Sequence, residues 1–142
     1  MRKDVLIAYY SHSSNTSKLA KQIERQIGGE LHEIVPRNAY PRDYQAVVEQ
    51  AKKEIRAGVR PELIEKNLDM TKHHVIFIGT PNWWSTMAPP IATFLGICNS
   101  SEKTIIPFCT HGGGGAGHIE ADIKKLTLKC LIEGAKYKCK KL

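Results

Sequence analysis

The sequence predicts a doubly wound α/β domain, a parallel sheet with helices on both faces. Three observations carry this. Short apolar runs alternate with amphipathic stretches along the whole chain, several runs are apolar almost without interruption, and no repeat or low-complexity segment divides the 142 residues. That length suits one domain, so residues 1–142 are expected to form a single unit around one core.

The first run, Val5 to Tyr10 (VLIAYY), is what a strand buried on both faces looks like. Thr16 to Ile27 follows with Leu19, Ala20, Ile23 and Ile27 at helical spacing, Lys18, Lys21 and Arg25 on the other side, and Gly28-Gly29 as the stop. Glu30 to Val35 (ELHEIV) alternates and reads as a second strand with a more exposed face. A Pro/Asn/Tyr-rich turn (PRNAYPRDY) leads into a helix from Asp43 to Ala57, ended by Gly58 and Pro61. His73 to Thr80 (HHVIFIGT) is the third strand, and Pro89-Pro90 open a third helix. Lys103 to Thr110 (KTIIPFCT) is a fourth strand, His118 to Leu126 a short helix, and LTLKCLIEG a last strand.

Composition narrows the function. Apolar residues make up 42% and charged residues 25% of the chain, as in an ordinary soluble protein. No segment approaches a bilayer-spanning length, and the basic, apolar N-terminus is too short for a signal peptide and contains Asp4. A cytoplasmic protein without membrane attachment is expected. Cys98, Cys109, Cys130 and Cys139 form no CxxC pair and no metal-ligand spacing with histidine, so they read as free buried thiols and no metal is expected. The net charge is +7, with Lys124, Lys125, Lys129, Lys136, Lys138, Lys140 and Lys141 against Glu133 alone after Asp122. No aromatic interleaving or known module points to nucleic acid; attraction to an acidic protein partner is the more useful reading.

In open parallel sheets ligands bind beyond the strands' carboxyl ends, where strand order reverses. Three loops of unusual composition fall there: Ser11–Thr16, Thr80–Pro90 and Thr110–His118. The first crowds hydroxyl and amide side chains at a helix start, where unpaired N–H groups and partial positive charge attract phosphate. Simple capping by Ser14, Asn15 or Thr16 is the plainer reading, but it needs only one such residue. The loop lacks the GxxxxGK[ST] of a nucleotide triphosphatase, the GxGxxG of a dinucleotide turn, a phosphatase cysteine and a phospho-receiver's acidic pocket. It is equipped to hold a phosphate and not to transfer one. The second loop carries Trp83-Trp84; one ring suits the core, the other a flat partner. The third holds four successive glycines, either a slack turn or a backbone able to lie close to a planar ring.

SHSSNTSKLA resembles the FMN-phosphate loop of flavodoxins, with Ser11, Ser13, Asn15 and Thr16 matching and Ser14 where glycine is usual. That serine would have to adopt a left-handed backbone, at a cost of about 1 kcal/mol. GTPNWWSTMAPP and IIPFCTHGGGG are similar to the loops that line the flavin in a subgroup of short flavodoxins. The resemblance implies a flavodoxin-like five-stranded parallel sheet in the order 2-1-3-4-5, and FMN as cofactor. It implies contacts from Ser11, His12, Ser13, Ser14, Asn15 and Thr16, from Thr80, Pro81, Asn82, Trp83 and Trp84, and from Thr110, His111, Gly112 and Gly113. No catalytic residue is expected. The implied role is a low-potential one-electron carrier between redox proteins, because an aromatic, cation-poor surround disfavours negatively charged reduced flavin. An FMN-dependent NAD(P)H:quinone-type oxidoreductase and a non-redox binding module on the same fold are the alternatives. Two features depart from the family: its members are commonly acidic, and the last helix is missing or truncated at EGAKYKCKKL. The sheet face beside the first helix would then need cover, from a homodimer or from a tail folded irregularly across it.

Overall fold

The computed structural model describes residues 3–97, 103–111, 115, 117–127, 131–132 and 140–141. Its strands are β1 (Val5–Tyr9), β2 (Glu30–Glu33), β3 (Val75–Trp83), β4 (Thr86–Met87), β5 (Thr104–His111), β6 (Leu131–Ile132) and β7 (Lys140–Lys141). The helices are α1 (Asn15–Ile27), α2 (Tyr44–Ala57), α3 (Pro89–Ile97) and α4 (Ile119–Leu126). The sheet runs β2-β1-β3-β5-β6 with every one of those pairings parallel, which for the five expected strands is the order 2-1-3-4-5 that the resemblance implies. Two short strands were not expected: β4 folds back antiparallel on the end of β3, and β7 pairs with the end of β5.

The nearly continuous apolar runs are explained by burial on both faces. Along β1, Leu6 and Ala8, followed by Tyr10, point to one side, where Ile76, Ile78 and Ile105 meet Val47 of α2, Ile91 and Phe94 of α3, and Ile123 of α4. Val5, Ile7 and Tyr9 point to the other, where Phe77, Ile106 and Phe108 meet Ala20 and Ile23 of α1. A period of two thus divides one hydrophobic string between two cores. Gly79 lies where β3 passes the Phe108 ring, and a Cβ there would stand 2.3 Å from the ring.

The face beside α1 is not open at β5: Ile106 and Phe108 are 8% and 1% exposed within the single chain. Cover for these two residues requires no second copy. After Thr127 the described residues form β6 and β7 and no helix; 133–139 and 142, on which most of the expected tail falls, lie outside them. The free-thiol expectation fails for Cys109, which is disulfide-bonded, while Cys98, Cys130 and Cys139 lie outside the described residues. Composition alone could not reveal this, since no short-range cysteine pattern marks the bond. Among the described residues no helix is long and apolar enough to cross a membrane.

At the amino end of the sheet the fully buried His73 donates its Nε2 proton to Glu30 at 3.1 Å, and Lys72 stands 3.5 Å from the same carboxylate. These contacts fasten edge strand β2 to the start of β3. They hold the Glu30 carboxyl below its usual range, first through the His73 hydrogen bond and also through the charges of Lys72 and His73.

Two outcomes follow. Gly79→Ala forces the added methyl against Phe108 and should cost about 1–3 kcal/mol of unfolding free energy in urea. The lowered Glu30 value stabilises the fold above the ordinary carboxylate range, and that contribution is lost as pH falls through the folded value. Glu30→Gln should therefore flatten the acid limb of the stability–pH curve, by less than about 1 kcal/mol for so exposed a group.

Candidate functional site

The parallel order brings the carboxyl ends of β1, β3 and β5 to one edge, and hydrogen bonds join the loops that leave them. Thr16 in the first turn of α1 shares a buried 2.9 Å hydrogen bond with Thr110 at the end of β5. Asn82 Nδ2 donates to the Gly115 carbonyl at 2.6 Å, joining the second loop to the third. Of the expected site residues, Gly112 and Gly113 lie outside the described residues.

In the first loop Ser14 has φ 70°, the left-handed backbone that its usual glycine implies. It stands at the helix N-cap without a side-chain capping bond; the Ser17 N–H is met instead by Ser11 Oγ at 3.1 Å. Capping by Ser14 is thereby excluded as the reason for its presence. Asn15 Nδ2 donates to Ser13 Oγ, which leaves the Ser13 hydroxyl its own proton to donate outward. The 13-residue α1 aims its positive end at this loop. His12 turns aside: Nε2 contacts the Pro41 carbonyl at 2.9 Å and its ring lies edge-on to Trp83.

The second loop is more ordered than its composition suggests. β3 continues through Pro81 and Asn82, and β4 pairs Trp83 with Thr86 across a two-residue turn, Trp84-Ser85. Both turn residues are left-handed, φ 56° and 66°, as such hairpins demand, although neither is glycine or asparagine. Strain of about 1–2 kcal/mol per residue is expected there. Contacts hold the turn in place. Trp84 Nε1 donates to the Val48 carbonyl at 3.0 Å, and the Lys52 ammonium stands 5.3 Å from the Trp84 ring centre. The Ser85 carbonyl accepts from His118 N–H at 2.6 Å, while Gly117 lies so close that a Cβ would meet that carbonyl oxygen at 2.6 Å. Thr86 donates to Asp122 of α4, and Thr80 Oγ1 accepts from Ala88 N–H. In the third loop Gly115 N–H donates to His111 Nδ1, leaving the ring proton on Nε2.

The two tryptophans differ in burial, as the expectation of one ring in the core requires. Trp83 packs inward, edge-on to Tyr40 and Tyr10 with ring centres 5.1 and 5.6 Å apart; Trp84 is 50% exposed. The inward wall was not foreseen. Tyr40 comes from the turn before α2, its phenol bonded to Glu54, and with Tyr10, Ser11 and His12 it borders a cleft of about 230 Å³ on the β2 side. Burial, aided by nearby carboxylates, raises both phenol pKa values.

These features define a doubly wound α/β protein whose hydroxyl-rich helix start lies beside an aromatic hairpin at the switch edge. A flavodoxin family model matches residues 4–140, and the chain belongs to that family. Among solved structures, a protein from Bacteroides eggerthii superposes with a TM-score of 0.85 at 27% identity, covering 93% of this chain and 86% of its own. A flavoprotein from Lactobacillus acidophilus, solved in complex with FMN, gives 0.82 at 27% identity, covering 92% and 90%. A WrbA-like protein from Agrobacterium tumefaciens, 13% identical with a TM-score of 0.60 over 92% of this chain and 76% of its own, shares the fold. No curated protein matches the chain.

Ser85→Gly should relieve the turn and raise the unfolding free energy by about 0.5–1 kcal/mol, whereas Ser85→Val should lower it. Thr16→Val leaves the buried Thr110 hydroxyl without its partner and should cost about 1–2 kcal/mol in the same denaturant measurement.

Proposed function

We propose that the chain binds FMN at the joined loops and serves as a low-potential one-electron carrier between redox proteins. The observation that carries this is the pair of hydrogen bonds Thr16–Thr110 and Asn82–Gly115, which bring three separately recognisable loops to one edge of the sheet. The FMN complex of the Lactobacillus acidophilus flavoprotein supports the choice of ligand.

The donor set fits the group. The start of α1 and the Ser13 and Asn15 side chains suit a phosphate held without a lysine, and left-handed Ser14 turns the backbone around it. The hairpin from Thr80 to Trp84, with Thr110, His111, Gly112 and Gly113, would border the ring system, with Trp84 half-exposed and the Lys52 ammonium over its ring. Bound FMN would supply the electron chemistry; the chain binds, orients and shields it. The charge of +7 suits partners with acidic docking faces.

Titration of FMN with the purified protein should quench flavin fluorescence with a dissociation constant in the micromolar range or tighter. Ser13→Ala combined with Asn15→Ala should weaken it by roughly tenfold, equivalent to about 1.4 kcal/mol. Absence of quenching would remove the cofactor reading. Rapid reduction of the bound flavin by NADPH alone in a stopped-flow instrument would replace the carrier with the oxidoreductase.

A further inference from the structure

The inward wall of the hairpin has the makings of a redox site of its own. The rings of Trp83, Tyr40 and Tyr10 touch one another edge-on, with centres 5.1 Å apart for Trp83–Tyr40, 5.6 Å for Trp83–Tyr10 and 6.0 Å for Tyr10–Tyr40. Such contact leaves almost no gap for an electron to cross. The two tyrosines differ in one respect. Tyr40 donates its phenolic proton to Glu54 Oε1 at 2.5 Å, and the other oxygen of that carboxylate accepts from Gln50 Nε2 at 3.1 Å. No hydrogen bond joins the Tyr10 phenol to any other described residue.

A phenol gives up an electron readily only when its proton leaves with it, because the oxidised phenol is a strong acid. Tyr40 has the base already in place, on a short charge-assisted hydrogen bond. It is 7% exposed, so its proton is passed to Glu54 and not to bulk water. Burial and the Glu54 carboxylate together raise its pKa, so the proton does not depart on its own beforehand.

We propose that Tyr40 and Glu54 form a proton-coupled electron donor that restores Trp83 after a one-electron oxidation. A small one-electron oxidant of the radical class takes one electron from Trp83 and leaves the indole as a radical cation. An electron then passes from Tyr40 to Trp83 while the phenolic proton crosses to Glu54 Oε1. The oxidant ends reduced by one electron, Trp83 is unchanged, Tyr40 is a neutral phenoxyl radical and Glu54 a neutral carboxylic acid. Oxidising equivalents that reach the hairpin thereby leave the switch edge for the turn before α2. The inference goes beyond the carrier role and does not depend on a bound cofactor.

Pulse radiolysis with the azide radical as oxidant tests it on the purified protein, since oxidised flavin, if present, yields no electron to that radical. The chain has two tryptophans, so the Trp84→Phe background leaves Trp83 as the sole indole. In that background the tryptophan radical should decay as the tyrosyl radical rises, at a rate independent of protein concentration and slower in heavy water. Tyr40→Phe should slow the decay by roughly tenfold or more, a barrier increase of about 1.4 kcal/mol. Glu54→Gln, which keeps a hydrogen-bond acceptor and removes the base, should also slow it. Tyr44→Phe, at a 79% exposed position, should change nothing. If Tyr40→Phe does not fold, Glu54→Gln decides alone. Unslowed transfer in the folded variants, or a rate that scales with protein concentration, overturns the assignment.

Discussion

Strands that run the same way must deliver their following loops to the same side, and the register of β1, β3 and β5 enforces this. Ile7 lies beside Phe77 and Phe77 beside Ile106, so the three strands stay in step, and beyond the level of Tyr9 β3 and β5 run on together to Pro81 and Thr110. A hydroxyl-rich helix start, an aromatic hairpin and a glycine-rich turn, far apart in sequence, become neighbours for this reason. Burial on both faces fixes the register, because a slip of one residue would exchange the two cores.

The edge is then held by specific links. Thr16–Thr110 ties the start of α1 to the strand beyond the next one, and Asn82–Gly115 ties the hairpin to the third loop. Left-handed Ser14, Trp84 and Ser85 are departures from easy backbone geometry, all at this edge. Surrounding contacts sustain them: the Val48 and His118 bonds grip the hairpin turn from two sides. A ligand meeting such an edge finds much of the ordering already done, which favours affinity.

The parallel sheet and its four helices were legible because their causes are local or periodic: unbroken apolar runs, helical spacing, Gly28, Gly58 and Pro89-Pro90 as punctuation; the strand order, which no local pattern fixes, came only with the family resemblance. Ser14 was legible too, through the glycine it replaces. The hairpin was not, since Pro81 and Asn82 read as loop and Trp84-Ser85 carries none of the residues that signal a two-residue turn. Nor could spacing reveal the bond between Tyr40 and Glu54 or the disulfide at Cys109, which depend on how separate elements meet. The division of the tryptophans was half visible: two adjacent rings implied different fates, but only the packing of Tyr10 and Tyr40 decided which turned inward.

The central claim is that three loops make one FMN site. Amide and indole resonances followed by NMR during FMN addition test it most directly. The account predicts that signals from Ser13–Thr16, from Asn82–Trp84 and from Thr110–Gly113 shift together along one saturation curve. Shifts confined to the cleft beside Tyr10, His12 and Tyr40, or curves with different midpoints for the three loops, would contradict it.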